Sequence, residues 1–424
     1  MKTILPLFFF LFFISILNAQ IPEWITYSSS NSGLPGNDVQ AIAIDGSGTK
    51  WIGTNTNSHG LARFDNTNWT VYNTSNSELP NNNIYSIAID NSGNKWIGTL
   101  DGLAKFDGTT WTVYKSSNSG LPNNEIRAIA IDGAGNKWIG TNFGGLAKFD
   151  GTNWTVYNTS NSGMPNNGVL AIAIDGSGNK WIGTGWGLAR FDGTTWTTYY
   201  TSNSGLPGNG VLSIAIDGSG NKWTGTLDGL AKFDGTTWTV YTISNSGLPD
   251  NRIQSIATDN SDNKWIGTWG GIAKFDGTTW TVYPASVSGI PAYAKITSIA
   301  IDVSWNKWIG AFGTGMVVFK EGGVFLSLEE AQKGGYSETT HLFQNYPNPF
   351  KTTTTIDYKV SESGLVSLKV FDVMGTEVIS LVNEIKAKGE YSVAWNAEGL
   401  PCGIYSCMLQ LGNCFEVGKM QLVK

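Results

Sequence analysis

The residues able to do acid–base or metal chemistry are few. Histidine occurs twice, as His59 and His341, which leaves almost nothing for a His-based metal site or a His general base. The three cysteines, Cys402, Cys407 and Cys414, lie near the C-terminus, odd in number and without the paired spacing of a zinc site. At most one intrachain disulfide can join them. More informative are aromatic and charged side chains at positions where otherwise similar segments differ. Phe143, Trp186, Trp269 and Phe312 share one slot with Asp101 and Asp228, and Tyr85, Arg127 and Arg252 vary near Glu125, Gln254 and Lys295. Aromatic faces ringed by a few charges are the chemistry for binding sugars or other flat polar ligands. No catalytic residue, metal or cofactor is expected from this set.

The elements that must carry these residues repeat. Lys-Trp recurs seven times, at Trp51, Trp96, Trp138, Trp181, Trp223, Trp265 and Trp308, with spacings of 45, 42, 43, 42, 42 and 43. That period suits one four-stranded propeller blade. In residues 84–114 the runs Ile84–Asp90, Lys95–Thr99, Leu103–Phe106 and Trp111–Tyr114 read as strands, separated by turn residues such as Asn91–Asn94 and Asp107-Gly108. No 3.6-residue periodicity appears, so helical solenoids are excluded. The seventh copy lacks its Trp-x-x-Tyr strand, and a spare one stands at the other end as Trp24–Tyr27. The reading is all-β: a closed, seven-bladed β-propeller over residues 20–325, with strand 24–27 completing the last blade.

Composition agrees. The 424 residues include 53 Gly and 18 Trp, only 14% are charged, and the net charge is −6. Such a chain favours short strands and tight turns. A mild acidic balance with no basic run argues against nucleic acid as a partner. Of the tryptophans, seven belong to Lys-Trp and seven to Trp-x-x-Tyr, leaving Trp186, Trp269, Trp305 and Trp395. The repeated fourteen are expected to pack between blades, each contributing roughly 4–6 kcal/mol before entropy costs. The repeated Asp45, Asp90, Asp132, Asp175, Asp217, Asp259 and Asp302 read as turn-closing residues. A calcium loop would need alternate acidic ligands and a bidentate Glu, which are missing.

Residues 1–19, with Lys2 ahead of the apolar run Leu5–Leu17 and a small Ala19, read as a cleaved signal peptide. The apolar run is too short to span a bilayer, so no membrane span is expected in the mature chain. Residues 326–342 read as a linker. From Phe343 the 42-residue period stops, and the alternating runs Thr354–Tyr358, Val366–Val370, Tyr391–Trp395, Ile404–Leu409 and Lys419–Val423 suggest an Ig-like β-sandwich over 343–424.

The unit at residues 90–114, Asp-x-x-Gly-Asn-Lys-Trp-Ile-Gly-Thr followed by Gly-Leu-Ala-Lys-Phe-Asp-Gly-Thr-Thr-Trp-Thr-Val-Tyr, resembles two-component regulator propeller repeats. Those repeats form extracellular sensor domains of bacterial hybrid histidine kinases whose ligands are often polysaccharide fragments. No kinase, receiver or transmembrane segment accompanies them here, so signalling through the same chain is not expected. The segments Gln344–Phe350, Ser367–Val373, Gly399–Tyr405 and Lys419–Lys424 resemble the type IX secretion C-terminal sorting domain. That resemblance implies a Bacteroidetes-like bacterium, passage across the outer membrane by the type IX machinery, and a secreted or surface location. Cys402 and Cys407 stand where that family's pattern has no cysteine.

Propellers place their second-to-third-strand loops and blade-to-blade connections on one face, so the variable residues are expected around the mouth of the central channel. The expectation is a monomeric, non-catalytic propeller that binds a glycan or surface protein. Two alternatives stay open at this point. One is an enzyme resembling streptogramin or polysaccharide lyases, with Tyr85 and Arg127 in place of the usual histidine–acid cluster. The other is a purely structural or adhesive surface protein, in which the variable side chains only plug the channel. The exposure of Trp186 and Trp269 discriminates between them.

Overall fold

β-Branched runs punctuated by Asx turns leave the chain few choices but antiparallel strands, and among the described residues the computed structural model contains only these as regular elements. It describes residues 24–55, 59–283, 290–291, 294–320, 341–360, 363–372, 377–411 and 414–423. The expected signal peptide and most of the expected linker lie outside the described residues. The chain forms two compact units, the larger spanning Glu23–Gly334 and the other running from Gly335 to Lys424.

The larger unit consists of seven four-stranded antiparallel sheets. Blade 2 is representative, with strands Ile84–Ile89, Lys95–Thr99, Gly102–Phe106 and Trp111–Tyr114 in spatial as well as chain order. First strands of neighbouring blades pack side by side all round, including Val39–Ile44 of blade 1 against Ile296–Ile301 of blade 7. They therefore form the wall of a central channel. Blade 7 takes its outer strand from the chain start: Trp24–Tyr27 pairs antiparallel with Gly315–Phe319, Trp24 opposite Phe319 and Tyr27 opposite Met316. A ring joined this way has no unpaired edge between its first and last blades.

Close blade-to-blade approach explains the glycine of each Lys-Trp-x-Gly segment. A Cβ at Gly98 would meet Ile126 Cγ2 at 2.7 Å, and one at Gly310 would meet Val39 Cγ1 at 2.8 Å. The Lys-Trp tryptophans fill the same interfaces and are at most 2% exposed. Trp96, for example, stacks on Tyr114 of its own blade and meets Phe149 of the next edge-on. The Trp-x-x-Tyr tryptophans behave differently. They are half-buried and stack chiefly on a phenylalanine of their own blade, as Trp154 does on Phe149 at 4.5 Å.

The repeated aspartates close their turns as expected and also hold the buried tryptophans. Asp90 Oδ1 accepts from the backbone N–H groups of Ser92 and Asn94, while Oδ2 accepts from Trp96 Nε1 at 2.9 Å. Lysine completes a clasp that the repeat alone did not suggest. Lys137 of blade 3 lies 4.9 Å from the Trp96 ring centre and 3.8 Å from Asp90 Oδ2, bridging to the preceding blade. The same lysine-on-tryptophan contact recurs at every interface, ending with Lys50 over Trp308.

The second unit is a two-sheet, immunoglobulin-like sandwich. One sheet orders His341–Leu342, Thr353–Val360 and Gly389–Asn396; the other orders Glu377–Lys386, Gly364–Phe371, Gly403–Leu411 and Cys414–Leu422. Trp395, Phe350, Tyr358 and Leu368 are among the side chains filling the space between them. His341–Leu342, at the end of the segment read as a linker, pairs with Lys359 and Tyr358. Glu377–Lys386 was not expected from the sequence. It is an edge strand with Ile379 and Ile385 exposed, and its charged residues hide the alternation.

Candidate functional site

The second-to-third-strand loops and the segments leading into the first strands lie on one face, tied by backbone hydrogen bonds. Leu100 N donates to Asn83 O, Asn142 N to Glu125 O, Trp269 N to Arg252 O, and Phe312 N to Lys295 O. Each first strand also carries a bulge near this end, where one residue falls out of register: Gln40, Tyr85, Arg127, Leu170, Leu212, Gln254 or Thr297. Bulges re-aim side chains and recur next to functional sites. Here the bulged residue varies from blade to blade, and in blade 7 it is Thr297, buried with its hydroxyl donating to the Val39 carbonyl.

Four of the expected site residues form two cation–π groups. In the first, the Arg127 guanidinium lies 4.0 Å from the Tyr85 ring centre. Glu125 pairs with Arg127 and accepts from Asn142 Nδ2 at 2.8 Å. In the second, Arg252 lies 4.4 Å from the Trp269 ring centre and Lys295 Nζ 5.1 Å. Asp250 grips Arg252 through both oxygens, at 2.8 and 2.6 Å, and Trp269 Nε1 reaches Gln254 Oε1 at 3.4 Å.

Burial, with the Arg127 charge adding to it, pulls Lys295 below the ordinary lysine pKa. Arg127 belongs to blade 3, and Lys295 leads into blade 7. Arg127 Nε is buried and has no hydrogen-bond partner among the described residues.

The remaining expected residues sit elsewhere on this face. Phe143, Trp186 and Phe312 are exposed on loop tips, at 71, 61 and 49%. Asp101 is engaged by Lys115 at 2.6 Å and Asn124 at 3.0 Å. Asp228 lies against Gly208, where an added Cβ would come within 2.3 Å of its carboxylate. Trp269 differs from Trp186 in being half-buried beneath its two cations. The sequence reading named Lys295, Glu125 and Gln254 as variable but not as partners, because partnership across blades depends on ring geometry. His59 lies on this face against Gly36, where an added Cβ would stand 2.5 Å from the imidazole Cδ2.

Comparison with known proteins supplies the family context. Residues 344–423 match the secretion system C-terminal sorting domain, and residues 78–101 and 120–143 match the two component regulator propeller. The chain carries propeller repeats of that family and a sorting tail. It is an exported protein of the cell surface. Among solved structures, the extracellular domain of the hybrid two component system BT3049 from B. thetaiotaomicron is similar, at a TM-score of 0.62 and 20% identity over 95% of this chain and 57% of that one. PorZ, a surface component of the type-IX secretion system of Porphyromonas gingivalis, gives 0.58 and 16% over 93 and 60%. Virginiamycin B lyase from Staphylococcus aureus, solved as an inactive histidine variant with quinupristin, gives 0.58 and 14% over 70 and 98%. The chain thus spans less than two thirds of the first two relatives' length, and these likenesses concern the fold. No curated protein matches. No helix among the described residues is long and apolar enough to cross a membrane.

Proposed function

We propose that the propeller is a non-catalytic binding module, delivered to the cell surface by type IX secretion, that holds a glycan or surface partner at the channel mouth. The observation that carries this reading is the pairing of Tyr85 with Arg127 and of Trp269 with Arg252 and Lys295 on one face of the propeller. Ring-stacked cations are held in place before any ligand arrives, which lowers the ordering cost of binding. Trp186, exposed on the same face, offers a ring for a sugar or an apolar contact. Arg127 and Tyr85 are occupied with Glu125 and each other, an arrangement suited to recognition rather than proton transfer.

A glycan array probed with the full chain, beside Trp186→Ala, tests this reading. Binding that weakens at least tenfold in the variant, while its melting temperature holds, supports it. Binding by neither protein, with a pull-down from the cell surface also empty, refutes it and favours a structural role.

A further inference from the structure

On the face opposite the channel mouth, where first strands turn into second strands, six blades share a contact that the seventh lacks. In blades 2 to 7 an asparagine stands just before Lys-Trp, and its Nδ2 donates to Oδ2 of the turn aspartate at 2.8–2.9 Å. In blade 4 the same carboxamide has a second partner, since Asn179 Oδ1 accepts from Arg190 Nη2 at 3.2 Å. Blade 1 repeats the aspartate and the arginine as Asp45 and Arg63. Arg63 stands opposite Trp51 just as Arg190 stands opposite Trp181. The carboxamide between them is missing, because Thr49 occupies the asparagine slot. Among the described residues, Asp45 Oδ2 keeps Trp51 Nε1 at 3.2 Å and Lys95 Nζ at 3.5 Å, and Arg63 pairs with Asp65 instead. A cavity of about 360 Å³ opens here between blades 1 and 2, with Asp45, Thr49, Arg63, Tyr72 and Phe106 in its lining.

We infer that this cleft binds a primary carboxamide, carried by a glutamine or asparagine side chain. The amide N–H donates to Asp45 Oδ2 and the amide oxygen accepts from Arg63, the two roles that Asn179 plays between Asp175 and Arg190. Charged groups suit the cleft less well. A carboxylate meets Asp45, and an ammonium meets Lys95 and Arg63, so a neutral group with donor and acceptor side by side is selected. Ser47 does not fill the gap from within, because its hydroxyl bonds Asp45 Oδ1 at 2.5 Å and Thr49 Oγ1 at 3.0 Å, away from Oδ2 and Arg63. Both anchoring side chains can be reached from solvent, Asp45 being 12% and Arg63 33% exposed. A water fills about 30 Å³, so the cavity has room for a three-atom carboxamide and for its methylene stem beside Tyr72 and Phe106.

The test titrates the full chain calorimetrically with short alanine peptides, acetylated and closed by an N-methylamide so that the ends bring no primary amide. The central residue is Gln, Asn, Glu, Met or Ser, and free glutamine and free glutamate form a further pair. The inference expects a carboxamide probe to bind about tenfold more tightly than its acidic, apolar and hydroxyl counterparts. Binding of the peptide but not the free amino acid names a protein segment as the source, and the reverse names a small molecule. Thr49→Asn puts the chain's own carboxamide into the cleft, as six other blades do. It should weaken binding by about tenfold or more while the melting temperature holds or rises. Arg63→Met, in a slot where blade 7 carries Val318, should weaken binding to a similar degree. Equal binding of glutamine and glutamate probes, binding untouched by Thr49→Asn, or no binding of any carboxamide probe overturns the inference. Each of these outcomes leaves the reading of the channel mouth standing, since that site lies on the other face and is read by Trp186→Ala.

Discussion

Lys50 Nζ lies 4.3 Å from the centre of the Trp308 ring, joining the first blade to the seventh. The contact is the seventh copy of the lysine-on-tryptophan clasp, so the seam of the ring uses the same chemistry as its other interfaces. A cation over an indole face is worth about 0.5–2 kcal/mol when partly desolvated. Lys50→Met keeps the aliphatic stem and removes the charge. It should lower unfolding free energy by about 1 kcal/mol in guanidinium titration, as Lys180→Met should at the Trp138 interface.

The closing strand should be worth more. Trp24 stacks on Phe319 at 4.1 Å and meets Tyr283 edge-on at 5.4 Å. Trp24→Ala removes both contacts and loosens the pairing of Trp24–Tyr27 with Gly315–Phe319. A cost of about 2–3 kcal/mol is expected, below that of a fully buried tryptophan because Trp24 is half-buried. A change under about 0.5 kcal/mol would mean that the seam is not held by this strand.

Trp181 and Trp186 stand five residues apart and should answer differently. Trp181 is 2% exposed at a blade interface, and Trp186 is 61% exposed on a loop. Trp181→Ala should cost about 3–5 kcal/mol. Trp186→Ala should stay within about 0.5 kcal/mol of the parent while binding is lost. Thermal melts of the two variants separate packing from recognition.

Acid should destabilise the propeller over a narrow range. At Asp45, Asp90, Asp132, Asp175, Asp217 and Asp259, burial works to raise the pKa. Hydrogen bonds from the tryptophan Nε1 and from neighbouring side-chain and backbone groups outweigh it, so each pKa falls below 3.8. A carboxylate lowered on folding contributes stability above its unfolded pKa and loses it as pH falls through the folded one. Melting temperature should therefore be insensitive to these groups above about pH 5 and drop steeply below about pH 4. Six equivalent groups titrating together make the fall steep. A melting temperature that stays level down to pH 2 would contradict this account.

Trp305 occupies a left-handed backbone position, φ 66°, where five other blades have Gly48, Gly93, Gly135, Gly178 and Gly220. A non-glycine residue there carries a steric cost of about 1–2 kcal/mol. Trp305→Gly should raise unfolding free energy by about 1 kcal/mol, read from the shift in denaturation midpoint. No shift would show that packing of the indole offsets the strain.

The sequence by itself determined the blade count, the four strands of each unit, the displaced strand at Trp24–Tyr27 and the sorting tail. Each is local or strictly periodic: a β-branched run, an Asx turn or a Lys-Trp pair says the same thing wherever it occurs. Repetition also separated Tyr85, Arg127, Arg252 and Trp269 from the structural slots, because they differ where their neighbours do not. Only the tertiary structure decided what those residues do to one another. Arg127 meets Tyr85 across a blade boundary, and Lys295 shares Trp269 with Arg252. None of these pairs shares a fixed spacing, since bulges re-aim the side chains and ring closure brings distant blades together. The lysine clasp shows the same limit from the other side. Lysine precedes tryptophan in all seven units, yet its partner is the tryptophan of the preceding blade, and that pairing exists only once the blades are stacked.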